Sequence, residues 1–171
     1  MRAKINLVLI LALSALVLAA PALAGGKAPG NAQVIRAFYR AVAAGDNQGM
    51  LAALAPGYQI VDLGAIKDKK HSKISEGDPD ITKRIAYLHR ALPGFTIEVK
   101  TVVSQGRRAF AHVVLSGVQK GEFLGVAPTN KKLTMIAFVL FEFEKGRIKR
   151  ACEMWNQLGL MMQMGYIKIS D

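Results

Sequence analysis

The stretch LTMIAFVLFEFEKGRIKRACEMWN (133–156) decides the fold of this chain. Its first part, residues 133–143, is rich in strand-forming residues and almost continuously apolar, which predicts a β-strand covered on both faces. Lys145 and Gly146 are typical of a turn, and a last strand is expected from Arg147 to Asn156. Two long strands joined by a tight turn indicate an antiparallel pair.

The residues before this stretch continue the strand pattern. Polar and apolar side chains alternate over residues 96–101, which is the period of a half-buried strand. Gln105 and Gly106 are typical of a turn, and a further strand is expected from Arg108 to Gly117. The second half of the chain is therefore predicted to be a meander of long antiparallel strands.

The first half of the chain has helical spacing instead. An apolar stripe over residues 34–42 predicts a first helix, and residues 50–54 predict a second short helix that ends at Pro56. A third helix is expected to begin after Asp78 as its N-cap and to end at Pro93. Three N-terminal helices packed on an antiparallel sheet make an α+β domain.

The N-terminus has the features of a cleavable secretory signal peptide over residues 1–24. Arg2 and Lys4 supply positive charge, and an uncharged apolar run from Ile5 to Ala20 follows them. The small-x-small pattern over residues 22–24 is one that a signal peptidase accepts. The sequence therefore predicts an exported protein.

An uncleaved anchor helix is the alternative, because such a helix needs roughly 20 apolar residues. Pro21 and the cleavage pattern favour removal near Ala24, so no stable membrane anchor is expected. The expected organisation is a signal peptide over 1–24, a flexible linker over 25–30 and a single domain over 31–171. The sequence leaves the periplasm and the outside of the cell open as destinations.

The composition is that of a basic globular protein. The chain has 23 Lys and Arg against 12 Asp and Glu, and a net charge of +9 is left once residues 1–24 are removed. The bases lie in predicted loops such as 64–77 and at hairpin ends, without interleaved aromatic residues, so no nucleic-acid partner is expected. The single cysteine, Cys152, excludes an internal disulfide, and neither a metal-ligand spacing nor a cofactor motif is present.

Three stretches carry a resemblance to a known family. They are VIRAFYRAVAAGDNQGMLAALAPGY (34–58), LSGVQKGEFLGVAPTNKK (115–132) and FEFEKGRIKRACEMWNQLGLMMQMG (141–165). They resemble the SnoaL-like polyketide cyclase (ester cyclase) family of the cone-shaped, nuclear-transport-factor-like superfamily, over residues 31–167. The resemblance implies a curved sheet and helices that enclose an apolar pocket, and a homodimer formed through the outer face of the sheet.

The resemblance also implies where the family's acid/base residues would lie. The Asp of the closing motif falls on Asn156, and the His of the middle motif falls on Gln119. Neither amide side chain exchanges a proton at ordinary pH. A second His position falls on Val61, beside Asp62. The family's aldol ring closure of a polyketide ester is therefore not expected to proceed here by the family's own mechanism.

We accordingly expect a protein that binds a small apolar or amphipathic molecule in the cone. Asn156 and Gln119 are expected to be hydrogen-bonding pocket residues, and Tyr39, Tyr58 and Met154 are expected to line the same pocket.

Two alternatives stay open. One is a divergent ester cyclase or isomerase-type enzyme that uses Asp62, or a histidine such as His112, as its acid/base. The other is a purely structural or partner-binding domain, which applies if large side chains fill the cone. The apolar run from Met135 to Phe141 is compatible with homodimerisation through the sheet.

Overall fold

The computed structural model describes residues 30–63 and 80–167. The predicted signal peptide, most of the predicted linker, the basic loop and Asp78 lie outside these residues. In chain order the elements are α1 (Asn31–Ala44), α2 (Asn47–Ala52), β1 (Leu54–Asp62), α3 (Ile81–Ala91), β2 (Thr96–Gln105), β3 (Arg108–Val118), β4 (Lys132–Glu144), β5 (Arg147–Trp155) and α4 (Gln157–Met164). The α+β class and the three helices before the long strands are confirmed.

The five strands form one curved, unclosed sheet in the order β1-β5-β4-β3-β2. Strands β2 to β5 pair antiparallel, which confirms the predicted meander. Strand β1 differs, because it pairs parallel with β5 at the edge of the sheet. None of the helices in the described ranges is long and apolar enough to cross a membrane.

The predicted second helix is shorter than its apolar pattern indicates, and a strand replaces its end. Helix α2 ends at Ala52, and Leu54 already belongs to β1. The pairing register of β1 shifts between Leu54 and Gln59, and this irregularity contains Pro56 and Gly57. Gly57 has a φ of +66°, which glycine adopts without steric cost. The Pro-Gly pair is therefore part of a bulge in an edge strand and not the turn that follows a helix.

Helix α3 begins later than predicted. Its N-cap is Asp80, whose carboxylate accepts hydrogen bonds from the backbone N–H of Thr82 at 3.1 Å and of Lys83 at 3.4 Å. Two aspartates flank one proline in this part of the sequence, and both satisfy the N-cap preference, so the pattern alone does not separate Asp78 from Asp80.

The two faces of the sheet differ in what covers them. The inner face packs on the helices, and on β3 alternate residues such as Val113 and Leu115 are buried there. Strand β4 is apolar on both faces, yet Ile136, Phe138 and Leu140 on its outer face are 40–44% exposed. The prediction that both faces of this strand are covered is thus wrong for a single chain.

Candidate functional site

A cavity of about 100 Å³ lies between the inner face of the sheet and helices α1 and α3. All five strands contribute to its wall, because alternate residues of each strand point toward the helices. The wall is mainly apolar, with side chains that include Phe38, Ile85, Val113, Leu115 and Phe141.

Four polar side chains interrupt this apolar wall and form what we call the polar cluster. They are Tyr39 of α1, Tyr58 of β1, Arg84 of α3 and Glu153 of β5. Electrostatic interactions link Arg84 with both tyrosines, so the four side chains lie near one another although they are far apart in sequence.

The charged part of the polar cluster is a shielded ion pair. The Arg84 guanidinium donates a hydrogen bond to the Glu153 carboxylate, and the two side chains are 25% and 15% exposed. Burial lowers the pKa of Arg84, and the nearby Asp62 carboxylate opposes this shift. Asp62 is buried and accepts a hydrogen bond from Nε1 of Trp155 at 2.8 Å. Arg84 is therefore one cation close to two carboxylates.

The uncharged part of the polar cluster consists of two phenols. Burial raises the pKa of Tyr39 and of Tyr58 well above its usual value, and Arg84 only partly opposes the shift. Both hydroxyls therefore remain protonated donors at neutral pH. The side-chain hydrogen bonds among the described residues include neither hydroxyl, and neither oxygen is one of the fully buried unpaired atoms there. The Tyr39 ring itself is held edge-on by its neighbours Phe38 and Phe141.

Tyr39 and Tyr58 are thus placed in the cavity wall, as the sequence predicts, but Gln119 and Asn156 are not. Gln119 is fully buried in the loop between β3 and β4, where its Nε2 lies within hydrogen-bond distance of three backbone carbonyls and its Oε1 accepts from Thr129. Asn156 is exposed and caps α4, with its Oδ1 accepting from the backbone N–H of Gly159 at 2.8 Å. Both amide side chains therefore hydrogen-bond backbone groups and do not face the cavity. Helix α4, which Asn156 caps, is not predicted by the sequence patterns.

Met154 and His112 also lie away from the cavity, on the outer face of the sheet. Met154 is 53% exposed, and the His112 ring contacts the Phe138 ring with centroids 5.1 Å apart. The strand pairing places both residues opposite Phe138, one on each side. Asp62, the other acid/base candidate, is buried beside the polar cluster without belonging to the cavity wall.

Arg84 and Glu153 are the site residues that sequence reasoning missed. Arg84 lies between Ile81 and Ile85 on the apolar face of α3. Charged side chains are rarely buried at such positions unless they pair with an opposite charge. Glu153 lies two residues after Ala151 on the same, inner face of β5. The residue next to it, Met154, points to the outer face. The charged residue on the apolar stripe of α3 was the available signal. Within residues 30–63 and 80–167, no group of three or more His, Cys, Asp or Glu is placed to hold a metal ion.

A curved, unclosed sheet that holds a cavity against helices defines the cone-shaped, nuclear-transport-factor-like class of α+β proteins. The sequence pattern of the SnoaL-like polyketide cyclase family matches residues 33–164, so the chain belongs to this family. None of the curated proteins compared with the chain matches it.

Solved structures agree with this assignment of the fold. IdmH of Streptomyces antibioticus is similar with a TM-score of 0.68 and 22% identity, over 80% of this chain and 99% of IdmH. TsrD from Streptomyces laurentii has a TM-score of 0.67 and 20% identity, over 80% and 95% of the two chains. An NTF2-like protein from Burkholderia xenovorans has a TM-score of 0.57 and 18% identity, over 78% and 95%. At these identities the likeness shows the fold alone.

Proposed function

We propose that this chain is an exported protein that binds a small apolar or amphipathic molecule in its cavity. The observation that carries the proposal is the composition of the cavity wall, which is mainly apolar and interrupted by one polar cluster. A few placed polar groups in an apolar cavity are typical of small-molecule sites. Because the cone is not filled by side chains, the purely structural alternative is disfavoured.

Binding is favoured over the family's own reaction by the roles of the substituted residues. Asn156 and Gln119, on which the family's Asp and His fall, are engaged in capping a helix and in holding a loop. The candidate His112 lies on the outer face of the sheet, where it contacts Phe138 and not the cavity. An acid/base group must reach the proton that it transfers. None of these three side chains meets that condition at the cavity.

A divergent enzyme that uses Asp62 is the second candidate function. The observation that favours it is the position of this buried carboxylate beside Arg84, which lines the cavity. The two candidates differ in what happens to a bound molecule. A molecule released from the protein and added back to it stays unchanged under the binding proposal and changes mass under the enzyme alternative.

Native mass spectrometry of the mature protein, purified from its own cell envelope, tests binding and export together. We expect a mass of residues 25–171 plus a small molecule that is released on denaturation. In the matched variant Ala137→Leu, the added side chain occupies the cavity wall and the adduct is expected to be lost. Ala86→Leu places the same side chain on the exposed surface of α3 and is expected to keep the adduct.

Two results would contradict these expectations. Wild-type protein without any adduct, even after incubation with apolar extracts of the same cells, would contradict the binding proposal. A mass that still includes residues 1–24 would contradict export by signal-peptide cleavage.

We also propose that two copies pair through the outer face of the sheet. Side chains that are 40–53% exposed form an outer apolar patch there, and the rings of Phe110 and Phe138 stack within it; the patch consists of Phe110, Ile136, Phe138, Leu140 and Met154. Contiguous exposed apolar surface of this kind marks an interaction site. A second copy suits it, because a two-fold pairing brings the same apolar residues of both chains together.

Sedimentation equilibrium at micromolar concentration tests this pairing. The wild type is expected to be a dimer, and Phe138→Asp is expected to be a monomer because it places a charge at the centre of the patch. Leu158→Asp is the matched control, because Leu158 is 58% exposed on α4 and lies outside the patch. A monomeric wild type, or a dimeric Phe138→Asp variant, would rule out pairing through this face.

A further inference from the structure

Helix α4 is apolar on two opposite sides, and the protein covers only one of them. Leu160 and Met164 are buried against the core, at 1% and 4% exposure. Leu158 and Met162 are 58% and 39% exposed. They point away from the core, because residues two apart on a helix differ in direction by about 200°. A helix that is apolar all round is typical of a buried position, so the exposed side of α4 is expected to have a cover.

Exposed apolar side chains continue past the end of this helix. Tyr166 and Ile167 follow its C-cap and are 61% and 37% exposed. We call the four residues Leu158, Met162, Tyr166 and Ile167 the α4 surface. Residues 156–167 contain no charged side chain, so the cover of the α4 surface has to be apolar where it touches this segment.

Two lysines border the α4 surface at the C-terminal end of the helix. The Lys131 ammonium donates a hydrogen bond to the backbone carbonyl of Met164 at 3.4 Å. Lys132 is next in the chain, and two residues later the backbone of Thr134 exchanges hydrogen bonds with the Gln163 side chain of α4. Both lysines are exposed, and neither forms an ion pair with another residue in the described ranges. Two unpaired positive charges therefore lie beside an apolar surface.

Apolar side chains beside lysines fit a partner that is both apolar and anionic. The surface of an anionic lipid bilayer has both properties, and segments with large apolar residues and lysines lie in such a surface. Each lysine close to anionic lipids adds attraction. Tyr166 suits the same position, because a tyrosine ring is apolar while its hydroxyl can stay in water.

A second copy and a different protein fit the α4 surface less well. A two-fold pairing centred on this surface would bring the lysines of both copies together, and like charges facing each other are unfavourable. A standard protein interface uses about 20 residues or more from each partner, whereas the α4 surface has four apolar side chains. A bilayer needs no complementary shape and accepts a few inserted side chains.

We propose that the α4 surface binds reversibly to the surface of an anionic lipid bilayer. Leu158, Met162 and Tyr166 enter the region between the headgroups and the acyl chains, and Lys131 and Lys132 bind lipid phosphates. Such peripheral binding requires no membrane-spanning helix. It is independent of what the cavity binds, and the export proposed above would bring the protein to a membrane surface.

Co-sedimentation of the mature protein with lipid vesicles tests this proposal. One set of vesicles contains equal parts of phosphatidylglycerol and phosphatidylcholine, and the other contains phosphatidylcholine alone. We expect the protein to bind the anionic vesicles and to bind the neutral ones at least about tenfold more weakly, because neutral vesicles do not attract the two lysines. High salt should weaken the binding to the anionic vesicles.

A first pair of variants tests the apolar contribution. The double variant Leu158→Ser, Met162→Ser is expected to bind anionic vesicles at least about tenfold more weakly, because two side chains that enter the bilayer lose most of their apolar surface. The control is Leu51→Ser, Val103→Ser, which removes two side chains that are 48% and 64% exposed on α2 and β2. It should bind like the wild type.

A second pair of variants tests the charge. The double variant Lys131→Gln, Lys132→Gln is expected to weaken binding about tenfold or more. The control Arg107→Gln, Arg147→Gln removes the same charge from exposed residues at the hairpin turns, which lie at the other end of the sheet. Because these charges would be far from the bound bilayer, the control should weaken binding by less than about threefold.

Four results would overturn the proposal. Absence of binding to the anionic vesicles would leave an acidic protein as the partner. An equal loss in the lysine and arginine variants would show that total charge alone attracts the protein. Unchanged binding of the Leu158→Ser, Met162→Ser variant would show that α4 does not enter the bilayer. A monomeric Leu158→Asp variant would assign the α4 surface to a second copy. The wild-type comparison of the two kinds of vesicle decides the first point even if a variant fails to fold.

Discussion

Replacing Arg84 by Met is expected to destabilise the protein more than replacing Glu153 by Gln, although the two residues form one ion pair. Met fills most of the space of the arginine stem, but it leaves Glu153 without the donor of its hydrogen bond and removes a positive charge near Asp62. In Glu153→Gln, the amide oxygen still accepts from Arg84, and Asp62 still balances the guanidinium. The two variants are expected to differ in stability because the Arg84 guanidinium lies near two carboxylates, whereas Glu153 is only one of these two.

The burial of the ion pair determines how much unfolding free energy each variant is expected to lose. The pair is mostly shielded from water, with side chains 25% and 15% exposed, so the value for a buried pair applies. Removing one partner of a buried ion pair costs about 3–5 kcal/mol of unfolding free energy, which is expected for Arg84→Met. Losing one charge while a hydrogen bond remains costs about 1–2 kcal/mol, which is expected for Glu153→Gln. The double variant should cost less than the sum of the two, because the residues are coupled.

Guanidinium chloride unfolding, followed by far-UV circular dichroism, measures these free energies. Arg84→Met should also lower the melting temperature by about 10 °C or more. The controls are Arg90→Met on the exposed surface of α3 and Glu144→Gln at the exposed end of β4, both expected to stay within about 0.5 kcal/mol of wild type. A larger loss in Glu153→Gln than in Arg84→Met, or a loss below about 1 kcal/mol in Arg84→Met, would refute the reasoning.

Two further predictions follow from the buried amide and the buried phenols. Gln119→Leu removes the amide that contacts three loop carbonyls and accepts from the Thr129 hydroxyl, so it should lower the unfolding free energy by about 2–4 kcal/mol. The exposed Gln59→Leu is the control and should leave the unfolding free energy unchanged, and urea unfolding of both variants measures the difference. Because burial raises the pKa of Tyr39 and Tyr58, the unfolded state ionises first as the pH rises above about 10, and folding stability is lost there. Absorbance at alkaline pH should therefore show these two phenols ionising only with unfolding, and early ionisation of all tyrosines would contradict their burial.

The periodicity of the sequence determined most of the secondary structure. Alternation over residues 96–101 and the apolar run over 133–143, with the turns between strands, predict β2 to β5, and apolar stripes predict the early helices. Strand β1 and helix α4 were not predicted from these patterns. A Pro-Gly pair inside an edge bulge looks like a turn, and Asn156 was interpreted as a pocket residue and not as a helix cap.

The candidate site could be predicted only in part. Tyr39 and Tyr58 lie in the cavity wall, while Gln119, which the sequence resemblance suggested for the pocket, is hydrogen-bonded within its own loop. A resemblance in sequence suggests equivalent positions, but it does not show which way a side chain turns. Gln119 turns into the loop because its NH₂ group, which has two donors, lies among three backbone carbonyls, and its oxygen accepts from the Thr129 hydroxyl.

By itself the sequence determined the class of the protein, its family and which residues share a face of each strand. Only the tertiary structure decided which face of the sheet became the inner one. Because β4 has apolar side chains on both faces, its sequence does not distinguish the two faces. Only the tertiary structure also joined Arg84 to Glu153, which are 69 positions apart. Such pairs depend on how helix α3 crosses the sheet, and the local periodicity that reveals helices and strands contains no information about that crossing.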